Sequence, residues 1–228
     1  MRFALPAAIP LVLSTLLHPA QSPQVIPIES GEHLRAVNVV MTPVTYHGKR
    51  AIRVVEGTHS PNALGEAIAI VEGVTFQEGT IEVDLVGVPG PHAAPDDRGF
   101  VGLAFHIDSA ADRFKSIYLR PTNGRTTDQV RRNHATQFTA LPDWPWYRLR
   151  KELPGQYESY VDLVAGEWTA VKIEVTKTAA SLYVNGSPQP VLVVTDMKDP
   201  AIRGALALWI GDGTEAYFSN LRVTPRAP

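Results

Sequence analysis

The 228-residue sequence contains no cysteine. No disulfide can staple the fold, no thiolate can hold a metal or act as nucleophile, and no lipid can be carried on a cysteine. Charge is scarce as well: 19% of residues are charged and the formal net charge is -2. That balance excludes the broad basic surface of a nucleic-acid partner. The seven histidines are scattered, without a His-x-x-x-His pair, so no metal set stands out. A structural Ca2+ held by loop carbonyls would leave little trace; nothing indicates one, and no cofactor is expected. Beyond the first 22 residues no window carries a 3.6-residue apolar period, and no glycine-rich phosphate loop leads into a helix. Tandem repeats and low-complexity tracts are missing too.

The chain starts MRFALPAAIPLVLSTLLHPAQS, with one cation at Arg2, an apolar stretch from Phe3 to Leu17, then small and polar residues. That is the layout of a signal peptide cleaved between Ala20 and Ser22. The run is short for a bilayer span and holds Pro6 and Pro10, so no transmembrane anchor is expected. The reading is a signal peptide over residues 1–22 and one domain over 23–228, in a periplasmic or secreted protein. A mature chain of roughly 200 residues buries a core without staples.

What fills that domain is strand after strand. AVNVVMTPVTYHG and KRAIRVVEG read as a hairpin. AIAIVEGV, GTIEVDLVGV, GFVGLAFHID, FKSIYLRP, ESYVDL, WTAVKIEVTK, ASLYVNG, PVLVVTD, GALALWIG and EAYFSNLRV follow. Each is short, β-branched or aromatic, and bounded by turn residues, which predicts an all-β, two-sheet sandwich or a barrel. Alternation assigns Val101, Leu103, Phe105 and Ile107 to the core and His106 to the opposite face. It likewise turns Ile117 and Leu119 inward and Tyr118 and Arg120 outward. Val161 and Leu163 face in; Glu158, Tyr160 and Asp162 face out, as do Glu82 and Asp84 beside Ile81, Val83 and Leu85. If these strands are neighbours, the polar residues share one binding face, with His106, Tyr118, Arg120, Glu158 and Tyr160 in a common cleft.

GTIEVDL, GFVGLAFHID, GEWTAVKIEVTKTAASLYVNG and GALALWIGDGTEAYFSNLRV resemble the concanavalin A-like lectin/glucanase superfamily over residues 65–225. Within it they are most similar to bacterial domains called 3-keto-disaccharide hydrolase and to laminin G-like jelly rolls. The resemblance implies two curved antiparallel sheets in a jelly-roll sandwich, with carbohydrate bound on the concave face. One departure matters. The glucanase strand motif E-x-D-x-x-E is broken here, since Glu82 and Asp84 are followed by Gly87, so the two-carboxylate retaining mechanism is excluded.

Residues 118–138, YLRPTNGRTTDQVRRNHATQF, concentrate hydrogen-bonding side chains in a chain otherwise sparing with them. They read as a strand to Arg120, a PTNG turn, a polar excursion and a return strand. Candidate catalytic residues are His106, Glu158 and Asp162, and His134 is a second possible base. On a 3-keto sugar, one base and one acid would cleave the glycoside by elimination. Candidate substrate-binding residues are Tyr118, Arg120, Arg125, Arg132, His134, Gln137, Trp146 and Tyr160. Arginine forks suit carboxylate or sulfate groups on acidic glycans, and internal pairing with Glu158, Asp162 or Asp128 fits them equally. LPDWPWYRLR reads as a stiff loop whose Trp144, Trp146 and Tyr147 form either a sugar platform or a hydrophobic latch. Trp168 and Trp209 read as core. Two functions follow: an exported 3-keto-glycoside hydrolase-like enzyme, or a non-catalytic carbohydrate-binding module.

Overall fold

The structure is a computed structural model describing residues 22–58, 65–199 and 202–226; the expected signal peptide lies outside them but for Ser22. The chain enters through β1 (Gln24–Ile26), β2 (Leu34–Val37), β3 (Val39–Tyr46) and β4 (Lys49–Glu56). β5 (Ala67–Phe76), β6 (Gly79–Pro89) and β7 (Val101–Ile107) follow. β8 (Phe114–Leu119) and β9 (Thr136–Leu141) flank a 3-10 turn, Pro121–Asn123, and a short helix, α1 (Gln129–Asn133). Helix α2 (Trp146–Glu152) precedes β10 (Glu158–Ser159). β11 (Thr169–Val175), β12 (Ala180–Val184), β13 (Leu192–Val194), β14 (Gly204–Ile210) and β15 (Thr214–Pro225) close the domain.

The strands form two antiparallel sheets stacked as a jelly-roll sandwich. One runs β13-β12-β11-β6-β15-β4-β3, with β1 added on β15; the other runs β10-β9-β8-β7-β14-β5-β2. Between them lies a core that includes Phe76, Phe105, Phe138, Phe218, Ile81 and Leu85. Burying those side chains supplies the main driving force, at about 25 cal/mol per Å2 of apolar surface. Among the described residues no helix is long and apolar enough to cross a membrane.

Four expectations need correction. Asn38 takes a left-handed conformation (φ 57°), so the first expected strand divides: β2 joins one sheet and β3 the other. Glu82 and Asp84 lie on β6, in the sheet opposite β7 and β8, and Asp84 accepts from Lys49 and Asn220 there. They therefore share no face with Tyr118. The aromatic loop is in part helical, since α2 starts directly after Pro145 and buries only Leu149. Seven residues are too few to show a period. α1 is similarly brief and starts where Asp128 accepts from the backbone N–H groups of Val130 and Arg131.

The last correction concerns His106. It is an extra residue in β7: Phe105 pairs with Leu206 and Ile107 with Ala205, while His106 takes φ 57°. The bulge flips the phase, so Ile107 packs on the outer face with Phe114 rather than in the inter-sheet core. His106 is 1% exposed, its Nε2 lies 2.8 Å from the Gln77 carbonyl oxygen, and its ring meets Phe105 edge-on. It borders a small pocket with Arg113, Lys115 and Asp199, not the cleft that holds Tyr118.

Burial pushes the His106 pKa down from 6.5 to about 4; Lys115 adds to this and the Gln77 carbonyl opposes it. Because the folded value is depressed, the unfolded chain protonates first on acidification. Stability is therefore full above pH 6.5 and declines as pH falls toward about 4, by on the order of 3 kcal/mol. His106→Asn, which tolerates the left-handed backbone, should remove that part of the acid slope in urea titrations. Parallel pH profiles for the two proteins would contradict this.

Candidate functional site

On the outer face of the second sheet, β8, β7 and β14 lie side by side, and Gly102 pairs with Tyr118 on one flank and Trp209 on the other. With no side chain at Gly102, the two rings meet across β7, stacked with centroids 4.5 Å apart and planes 27° from parallel. Phe100 stands edge-on to Tyr118 at 6.3 Å. These rings floor a cleft of about 810 Å3, with the half-exposed Trp146 at its mouth. The Trp209 indole N–H donates to Glu66 Oε2 at 2.7 Å. Burial raises the Glu66 carboxyl above its ordinary pKa, against the Trp209 bond and with help from Asp212.

One wall is basic. The Arg120 guanidinium, on a residue only 5% exposed, donates to the His134 carbonyl (2.9 Å), the Tyr118 hydroxyl (3.1 Å) and Gln137 Oε1 (3.1 Å). Gln137 is oriented in turn, its Nε2 donating to the carbonyls of Phe138 and Tyr157. Glu158 is buried beneath this layer and takes a forked contact from Arg150, 2.7 Å from Nη2 to Oε2. His134 Nδ1 lies 2.7 Å from the same oxygen, off the line of a straight hydrogen bond. Burial lowers the His134 pKa; Arg150 and Arg120 add to this and Glu158 opposes it. Carboxylates line the β14–β5 side, with Glu56, Glu66 and Asp212, and Asp96 and Asp97 sit beside Arg98 in the loop before β7.

The structure therefore brings Tyr118, Arg120, His134 and Trp146 into one cleft and places Gln137 and Glu158 directly behind them. It does not bring in the others. Arg125 and Asp162 form a bidentate pair at the surface, at 2.7 and 2.9 Å. Arg132 lies over the Tyr160 ring and donates to its hydroxyl at 3.1 Å, outside the cleft lining. Trp168 is on the outer face of the first sheet, edge-on to Tyr46 and under Lys49. Trp209, read as core from its strand pattern, is buried in a cluster on the outer face of the second sheet and also lines the cleft. Glu66, Arg98, Phe100 and Arg150 escaped the sequence reading, because each joins the cleft from a segment remote in the chain or from a short helix without a visible period, while Arg131 comes from the polar stretch 118–138. Among the described residues no cluster of potential ligands could hold a metal ion.

Two substitutions test this construction. A Cβ at Gly102 would collide with the Ile117 carbonyl oxygen and lie 2.6 Å from Tyr118 Cα and Cβ. Gly102→Val should cost about 2 kcal/mol or more and change the near-ultraviolet circular dichroism of the stacked pair. An unaltered melting curve would show that the strand accommodates it. Glu158→Gln leaves Arg150 and His134 without their carboxylate. We expect a loss of about 2 kcal/mol in urea unfolding, moderated because Arg150 is one-third exposed. A variant as stable as wild type would mean the buried ion contributes nothing net.

No family profile matches the chain, and no curated protein matches it. Solved structures do. Carbohydrate binding module CBM66 from Bacillus subtilis superposes with a TM-score of 0.54 at 12% identity, covering 83% of this chain and 93% of that one. A candidate glycosyl hydrolase from Parabacteroides distasonis gives 0.57 at 10% identity, covering 89% and 100%. The Crh5 transglycosylase in complex with NAG gives 0.54 at 14%, covering 92% and 86%. At such identities the likeness is one of fold, and it defines the class: a two-sheet antiparallel jelly-roll sandwich.

Proposed function

We propose that this is an exported glycan-active protein that binds a saccharide in the cleft over Tyr118 and Trp209. The observation that carries the reading is the pairing of aromatic surface with converging hydrogen-bonding groups. Trp146 offers an exposed ring, while Arg120, His134, Arg150 and Glu66 stand around it on partners that hold their orientation. Rings suit the C–H faces of a sugar, and preset donors and acceptors suit its hydroxyls. The fold neighbours named as a carbohydrate binding module and a transglycosylase support the same substrate class.

The His134–Glu158 contact favours a second reading, hydrolysis of 3-keto-glycosides. His134 removes the proton next to the ketone, the C–H electron pair forms the double bond, and the glycosidic C–O bond breaks. The leaving oxygen takes its proton from Glu66, whose raised pKa suits an acid, and water then adds to the unsaturated sugar.

A glycan array followed by calorimetry tests the first reading. Trp146→Ala should weaken saccharide binding about tenfold with little change in melting temperature. Absence of any saccharide ligand on the array and in calorimetry would refute it. Sugar release from 3-keto-disaccharides, lost in His134→Gln, would establish the second; binding without release excludes it.

A further inference from the structure

The cleft's four arginines divide by partner. Arg150 has its carboxylate in Glu158. Arg98, Arg120 and Arg131 have none: among the described residues they form no ion pair. Arg98 Nη1 donates only to the backbone carbonyls of Pro95 (2.9 Å) and Asp97 (3.0 Å). Arg131 donates through Nε and Nη2 to Asn123 Oδ1, both at 3.3 Å. Arg120 donates to a carbonyl, a phenol and an amide. Elsewhere the chain does pair its arginines, as in Arg53–Glu215, Arg113–Asp143 and Arg125–Asp162.

Three guanidiniums facing one cavity without a counter-ion are costly. Burial depresses the pKa of both Arg98 and Arg120; Arg131 adds to the first and Arg150 to the second, while Asp96 and Asp97 relieve Arg98 in part. Each fork has N–H groups left over, since a guanidinium carries five donors. Away from Arg120 and Arg131, on the β14–β5 side, the lining holds the carboxylates Glu56, Glu66 and Asp212, while Asp96 and Asp97 flank Arg98 in its own loop. Glu56, Glu66 and Asp212 accept from hydroxyls but repel an anion, so a bound acid is steered to the arginine side.

We infer that the cleft selects acidic saccharides, with the carboxylate of a uronate-type sugar held by Arg98, Arg120 and Arg131 and its hydroxyls facing the acidic rim. The planar carboxylate matches the two-donor guanidinium edge. This inference rests on the saccharide reading above, and the test separates the two.

Calorimetry of the full chain would compare three probes: a galacturonate disaccharide, its neutral galactose counterpart, and benzoate. The uronate should bind at least about tenfold tighter than the neutral sugar. That ratio should fall below about threefold in the Arg98→Gln, Arg131→Gln double variant, with a melting curve to verify that these partly buried positions keep the fold. Added NaCl should erode the uronate preference in wild type. Equal binding of the two sugars, or a preference intact in the double variant, overturns the anion site and leaves the saccharide reading standing. Binding of benzoate alone, lost in the double variant, overturns the assignment of the arginines to acidic saccharides. No binding by any of the three probes overturns the anion site, and the glycan array decides the saccharide reading separately.

Discussion

Arg120 sits almost fully buried and finds no carboxylate, and the cleft is organised around holding it. A guanidinium taken from water must have its N–H groups matched, or it loses several kcal/mol of hydration. Here the acceptors come from three places in the chain: the Tyr118 hydroxyl on β8, Gln137 Oε1 on β9 and the His134 carbonyl at the end of α1. The same His134 carbonyl also accepts from Asn123 Nδ2. The excursion between β8 and β9 is thereby tied down at its start and its end. Its middle, with Arg125 and Thr127 to Val130, is exposed to solvent. The position of the His134 ring, and so its approach to Glu158, follows from where its own backbone is held.

A second constraint is steric. Tyr118 and Trp209 lie on strands that are not neighbours, and rings on such strands are normally separated by the side chain between them. Gly102 removes that side chain and lets the π-faces meet, so one small residue creates the aromatic floor. At the far end of the same strand the bulge at His106 has the opposite effect. It rotates the strand out of phase, buries the imidazole against Phe76 and Phe105, and separates that end from the cleft. One strand thus forms the centre of the site and also fixes where it stops.

The charges show a division between scaffold and site. Exposed pairs such as Arg125–Asp162 and Arg148–Glu152 satisfy each other and are worth little in stability. Glu158 is different, because it is buried and carries two partners that form the cleft wall. The cleft as a whole is bipolar, basic on one side and acidic on the other, in a protein whose net charge is close to zero. Composition hides such a field because the two signs cancel in the sum.

The two-sheet all-β architecture was legible from the strings themselves. Alternation along β6, β7, β8 and β11 has period two, and every chain with that pattern must bury one face of a sheet. The polar stretch from Tyr118 to Phe138 also marked the neighbourhood of the cleft, because hydrogen-bonding residues so concentrated need partners. Which partners they found was not legible. Pairing depends on strand order, and β8 meets β14 residues only through β7, some ninety positions apart in sequence. Arg125 and Arg132 read the same as Arg120, yet they pair at the surface while Arg120 is buried, because only strand order and loop path set the depth of each guanidinium. Trp209 is buried as its pattern suggests, yet on the outer face: alternation tells which residues share a face, and it takes the second sheet to say which face that is. Residue types and periods therefore determined the layers of this protein, while the tertiary structure alone decided the site, since contacts between distant strands are set by packing rather than by local pattern.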